Sequence, residues 1–486
     1  MRPHFALILS SLLVACGDSA DGPRGEPCTS DGDCGTLGCV LDADQEPEDL
    51  EPLSLACDTL SEGAGPGSPC RGGNGCDHGI CLLSGACALP CATATDCAEL
   101  ERCQAVFVRS SEDTLQPSMA CVSVIDLPAD ADVDVDLLED ALSGQRDTIG
   151  LAPAQVDGGD TVYVLEHGSG NWPEGVMCRP PLCAARFESD GDPELLFDGE
   201  LDYRSAAPPR APAVPGDHVD PVVLRIDHAL AGELDGAALS LTLDSEVPGD
   251  LRVTRVHRAQ RGQRLDLNVF YVGALDWEPT GSRGPELLER ALEVVDEIFA
   301  PADIFIGEVR QLSVPGELPM RGVAFPEGDP GAGLEELQVR FGVYVELPHL
   351  FMLSAGAGNS AINLFFVRDI APRGGGEPEA EAGGIPGPPA MHGTAGSGIA
   401  IATDMMGGDP ESLGRTLAHE LAHYLGLFHT SESTGHVYES LTDTPECRPL
   451  DDCSGHEANL LWWAKATGTA LSEQQLEVLG SAAVLQ

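Results

Sequence analysis

The chain has 486 residues, with 79 acidic and 26 basic side chains and a formal net charge of −53. Lys465 is its single lysine, and the acidic excess makes nucleic acid and anionic lipid poor electrostatic partners. The length allows several domains, and no apolar run reaches the roughly 18 residues that a membrane-spanning helix needs.

The N-terminus places Arg2 ahead of a short apolar run, the pattern of a secretory signal. That run closes on Leu13-Val14-Ala15-Cys16, which resembles the lipobox of bacterial lipoproteins. The resemblance implies a signal peptide over residues 1–15, lipid on Cys16 and a polar tether over 16–27. The product would be exported and anchored through lipid to the bacterial outer membrane or cell surface, or released by trimming. Ordinary cleavage, with Cys16 left as an odd thiol, is the alternative.

Without Cys16, the 17 cysteines become an even 16. Even numbers in an exported chain read as disulfides. Twelve fall in residues 28–121, in three units of four: Cys28, Cys34, Cys39 and Cys57; Cys70, Cys76, Cys81 and Cys87; Cys91, Cys97, Cys103 and Cys121. A proline precedes each first cysteine, at Pro27, Pro69 and Pro90. Units this small lack an apolar core and depend on bridges, and the sequence does not choose among the pairings. A spacer is the expected role; binding of a surface partner is the alternative.

Residues 122–262 carry short apolar runs split by Gly, Pro and Asp, among them Thr161–Leu165, Val222–Ile226 and Leu239–Leu243. This spacing predicts a β-rich, sandwich-like domain. Cys178 and Cys183 are disulfide candidates within it. The alternating acids Asp130, Asp132, Asp134 and Asp136 lack the glycine and glutamate of an EF-hand loop and read as a solvated linker.

Residues 263–486 form the last expected domain. Leu265–Val272 alternates like a strand, Pro285–Phe299 has helical spacing, and Ile304–Ile306 and Ile362–Val367 read as further strands. Residues 374–398, rich in Gly and Pro, predict a mobile loop. Gly398–Ala402 gives one more strand, and Ser472 with Gln475 predicts a capping box for a terminal helix ending near Gly480.

The densest chemistry lies at His419-Glu420-Leu421-Ala422-His423-Tyr424-Leu425-Gly426-Leu427-Phe428-His429. Asp409 is placed to cap a helix and Pro410 suits its first position. Leu413, Leu417, Leu421 and Leu425 form one apolar stripe, which leaves His419 and His423 on the opposite side, one turn apart. Both rings can then reach one metal ion. Gly426 lets the helix stop and turn, so that His429 returns as a third ligand. Three nitrogens leave a fourth zinc position open, the mark of a catalytic site. Glu420, beside the first ligand, is placed as general base. His436 and His456 read as structural.

This pattern is the metzincin signature. Thr430, Leu441–Cys447, Cys453 and Asn459–Trp463 downstream resemble the pappalysin family of metzincins. The resemblance covers roughly Leu265 to the C-terminus and implies an α+β zinc peptidase domain, which follows the β-sandwich-like domain and the disulfide-rich modules read above. It implies protein or peptide substrates, a Cys447–Cys453 disulfide pair, and structural Ca2+ beside the catalytic Zn2+. It aligns Leu461 with the Met-turn methionine and Trp463 with a tyrosine. It also places residues 398–402 beside the cleft, where an extended peptide could pair with an edge strand. A surface binding lipoprotein with a vestigial metal domain is the alternative, and the Leu461 and Trp463 departures favour it.

Overall fold

The computed structural model describes residues 38–41, 55–58, most of 65–125, 133–143, 146–155, 159–167, 182–189, 195–198, 222–226, 233–234, 239–245, 248–277, 284–314, and most of 336–371, 380–403 and 408–486. Cys16, Cys28, Cys34, Cys178, Cys453 and His436 fall outside the described residues.

The cysteine-rich region contains two antiparallel strand pairs, β1 (Gly38–Leu41) with β2 (Leu55–Asp58), and β3 (Glu101–Arg109) with β4 (Leu115–Ser123). Of the pairings open to each unit, the second and third join first to third and second to fourth: Cys70–Cys81, Cys76–Cys87, Cys91–Cys103 and Cys97–Cys121. The third and fourth cysteines of all three units are cross-strand partners: Cys39↔Cys57, Cys81↔Cys87 and Cys103↔Cys121. In the second and third units the two bridges thus tie the segment that opens the unit onto the paired strands that close it.

The second and third modules pack on the rest of the chain, which differs from the spacer expectation. Ile80, Leu82, Val106, Val108, Ala120 and Val122 bury a cluster that includes Ala355, far along the chain. Arg102 pairs with Glu166 and donates from Nη2 to the His392 carbonyl at 2.7 Å. Gln104 donates to the Gly393 carbonyl. A core too small to stand alone is completed by packing on the rest of the chain.

The middle region forms two four-stranded antiparallel sheets. Its strands are β5 (Val133–Ser143), β6 (Arg146–Leu151), β7 (Thr161–His167), β8 (Leu182–Ser189), β9 (Leu195–Asp198), β10 (Val222–Ile226), β11 (Leu239–Ser245) and β12 (Pro248–Arg258). The orders are β10-β7-β12-β5 and β6-β11-β8-β9. Ile149, Leu151, Leu239 and Leu241 from one sheet meet Tyr163, Leu165, Leu224 and Leu251 from the other in a common core. The opposite face of the first sheet is also buried, because Val162, Val164, Val223 and Val256 pack with Met391 and Ala483. Asp130 and Asp132 lie outside the described residues, but the rest of that acidic stretch is not a linker. From Val133 it is strand, with Asp134 opposite His257 and Asp136 opposite Arg255. Its period of two is that of a strand, with acids alternating against Val133, Val135 and Leu137.

The C-terminal region is built on a five-stranded mixed sheet: β13 (Arg264–Val272), β14 (Phe305–Val314), β15 (Ile362–Val367), β16 (Ala380–Ala382) and β17 (Ile399–Ala402). The order is β14-β13-β15-β17-β16, parallel except for the terminal β16. Helices α1 (Gly284–Phe299), α3 (Pro410–Tyr424) and α4 (Glu473–Gly480) cover one face, after the short α2 (Leu347–Phe351) on the other. Alternation along β13 accounts for both cores: Leu265, Leu267, Val269 and Tyr271 face the long helices, while Phe270 and Val272 face Phe351 and Phe365.

Two expectations change here. Residues 380–398 are not a mobile loop. Most of them are buried, and Asn363 holds His392 and the Ser397 carbonyl at 2.8 Å and 2.7 Å. The β17 strand is not an edge either, because β16 pairs antiparallel with it and takes the terminal position. A Gly- and Pro-rich composition signals irregular backbone, but buried hydrogen bonds decide whether that backbone is fixed.

Candidate functional site

Helix α3 starts as the sequence predicts. Asp409 accepts from the N–H groups of Glu411 and Ser412 at 3.3 Å and 3.2 Å, and Pro410 occupies the first turn. Leu413, Leu417, Leu421 and Leu425 all enter the core. The helix ends in a Schellman motif: Leu427 N–H bonds the Ala422 carbonyl at 2.9 Å, Gly426 N–H bonds the His423 carbonyl at 2.8 Å, and Gly426 has φ 112°. The chain then reverses and brings His429 beside the other two rings.

The three Nε2 atoms converge. His419 Nε2 lies 3.1 Å from His423 Nε2 and 3.2 Å from His429 Nε2. Tetrahedral zinc with bonds of about 2.0–2.1 Å sets its ligand nitrogens about 3.3 Å apart. Each Nδ1 meets an acceptor: the Leu460 carbonyl at 2.7 Å for His419, the Leu427 carbonyl at 2.6 Å for His423, and Glu432 Oε1 at 3.0 Å for His429. A neutral ring bonded this way carries its proton on Nδ1 and leaves the Nε2 lone pair free. Three lone pairs aimed at one point repel unless a cation sits between them. The donor set therefore fits a metal ion, and these three histidines could hold one.

Burial lowers the pKa of two of the rings. Burial, followed by the neighbouring His429, lowers the His419 pKa to about 4. Burial, then His419 and His429, holds His423 well below its ordinary value. For Glu432, burial pushes upward, but the hydrogen bond and charge of His429 and the charge of His419 prevail, so its pKa is lowered.

Glu420 follows His419 on the helix and turns toward the sheet end. Its carboxyl accepts from the Ala382 N–H on β16 and lies near Glu381. Burial first, then the Glu381 charge, raises its pKa to about 8.

Residues 459–463 form the wall behind His419. Asn459 Oδ1 accepts from Leu461 N–H at 2.8 Å, and the Leu461 carbonyl accepts from Thr430 N–H at 3.0 Å. Leu461 is fully buried in the helix-side core. Trp463 is 42% exposed, with its ring 5.9 Å from that of Trp462. His456 stands edge-on to Trp462 and is not among the convergent nitrogens. Cys447 is disulfide-bonded. Cys183 lies in β8.

Sequence reasoning missed Glu432, three residues past the motif. A carboxylate at that distance from a metal-binding histidine was the available signal. It also missed Gln475 as more than a cap. Gln475 closes the capping box with Ser472 and also binds Glu439 and Asn459, at 3.1 Å and 2.8 Å, which fixes the 459–461 turn.

The chain matches no family model and no curated protein. Among solved structures, metalloproteinase-II from Bacteroides fragilis aligns at 12% identity and a TM-score of 0.27, over 49% of this chain and 63% of that one. The alignment spans less than two thirds of that chain, and a superposition this loose leaves the chemistry to be argued from the side chains.

Proposed function

We propose that this chain is a zinc-dependent endopeptidase of the metzincin type, with a pappalysin-like catalytic domain, acting on proteins outside the cytoplasm. The observation that carries the proposal is the convergence of three Nε2 atoms whose Nδ1 partners are all satisfied. His419, His423 and His429 hold the metal. Zinc held there would supply Lewis acidity and an acidified water. Glu420 is the general base, whose carboxylate would accept a proton from the attacking water and return it to the leaving amine. The Ala382 N–H orients the Glu420 carboxyl. As terminal strand, β16 offers extended substrate backbone an edge to pair with.

Zinc analysis and casein cleavage, on wild type and Glu420→Gln, test this reading. One zinc per chain in both proteins, with chelator-sensitive cleavage only in wild type, is the expected result. Full activity in Glu420→Gln overturns the mechanism, and a wild-type chain without zinc overturns the centre.

The four disulfides of the second and third units fit an oxidising compartment. Among the described residues, no helix is long and apolar enough to cross a membrane. We propose a lipid anchor at Cys16, tested by membrane fractionation of wild type and Cys16→Ser; the variant should move to the soluble fraction. We assign no calcium ligands, because the other convergent groups among the described residues are disulfide cysteines.

A further inference from the structure

Arg225 lies on β10, 200 residues before Leu425, yet its guanidinium is buried against the end of the metal-binding helix. Its side chain is 3% exposed, and that of its ion-pair partner Asp160 is 0% exposed. Asp160 immediately precedes β7, and Ile226 pairs with Thr161, so strand register brings the two side chains together.

The guanidinium bonds two helix ends. Nη1 donates to the Leu425 carbonyl at 3.3 Å, and Nη2 donates to the Val478 carbonyl at 3.0 Å. These are orphan carbonyls at the C-terminal ends of α3 and α4, where a cation is also favoured by the helix dipole. Ser481 Oγ completes the cluster, 3.3 Å from Nη2 and 3.3 Å from Asp160 Oδ2.

Leu425 sits between His423 and His429, in the turn that sets the third ligand. Gly426, the next residue, lies directly against Arg225: a Cβ there would run into Nη1. The glycine of the motif is thus required twice, by its φ of 112° and by the arginine. A buried ion pair adds little stability over apolar residues of the same volume. Its placement points to geometry.

We propose that Arg225, held by Asp160, is a positioning residue for the metal centre. It fixes the Leu425–His429 turn, so the middle β-sheets are a working part of the site. This rests on the metal-centre reading above.

The test uses the full chain and reads metal affinity. Zinc binding is measured by competition with a chromophoric chelator, and the Co2+-loaded proteins give d–d spectra that report ligand geometry. Arg225→Met with Asp160→Asn removes the clamp without stranding a buried charge. Its zinc affinity should fall by about tenfold or more, with altered cobalt bands and a retained far-UV circular dichroism spectrum. Arg102→Met with Glu166→Gln removes another long-range ion pair that does not touch the turn, and should bind zinc as wild type does.

Wild-type affinity and spectrum in the Arg225→Met/Asp160→Asn protein overturn the inference, as does an equal loss in the control. Should that protein fail to fold, Arg225→Lys decides. One ammonium cannot bond both carbonyls in the same way, so zinc affinity about threefold or more below wild type is expected. Unchanged affinity there overturns the proposal. A wild-type chain that binds no zinc removes the metal-centre reading and this inference together.

Discussion

Glu432 Oε1 receives the Nδ1–H of His429 at 3.0 Å, across a single turn of irregular chain. The other two rings are held by backbone carbonyls, so His429 is the one ligand whose orientation depends on a titratable side chain. Glu432→Ala should weaken zinc affinity by about tenfold or more, and Glu432→Gln by less, because the amide oxygen still accepts. Chelator competition checks this, and equal affinity in all three proteins contradicts it.

Gly426→Ala places a side chain at φ 112° and drives it into Arg225. We expect a loss of about 2 kcal/mol or more in folding stability, together with weaker zinc binding. Denaturant unfolding of the metal-free proteins measures the first effect, and zinc titration the second.

At Gly414, α3 lies tightly against α1. A Cβ there would lie 2.5 Å from Val294 Cβ and 2.7 Å from the Ala291 carbonyl. Gly414→Ala raises helix propensity by about 1 kcal/mol but forces the helices apart, which costs about 1–3 kcal/mol. A lowered Tm is the expected outcome, since the blocking Ala291 atom is backbone and cannot rotate away.

Glu439 is a buried carboxyl whose pKa rises from 4.5 to about 7, through burial first, against hydrogen bonds from Thr444 and Gln475. A folded-state pKa above the unfolded value means stability that is fully present below about 4.5 and is lost as pH rises through about 7. The full effect is about 3 kcal/mol. In metal-free protein, wild type should lose roughly that amount between pH 4 and pH 8 relative to Glu439→Gln. Parallel pH-stability curves for the two proteins rule this out.

Much of the centre was legible in the sequence because its parts are local. Asp409, Pro410, the four leucines, the spacing of His419 and His423, and Gly426 all act within one helix and its stop, where the 3.6-residue period fixes which side chains share a face. The Ser472–Gln475 capping box is local in the same sense. The alternation along β13 also predicted a strand, because a residue's face depends only on its parity.

What the tertiary structure decided is non-local. Strand order put β16 outside β17 and made it the terminal strand. Buried hydrogen bonds from Asn363 fixed a segment whose composition suggested motion. In the second and third units the folded chain joins first to third and second to fourth cysteine, one of the pairings that spacing left open. The Leu460 carbonyl and Arg225 reach the histidine-bearing helix from 41 residues after His419 and 200 residues before Leu425. Periodicity reports which face of an element is apolar, not what packs against it, and a polar group finds a distant partner only once burial has removed water as the alternative.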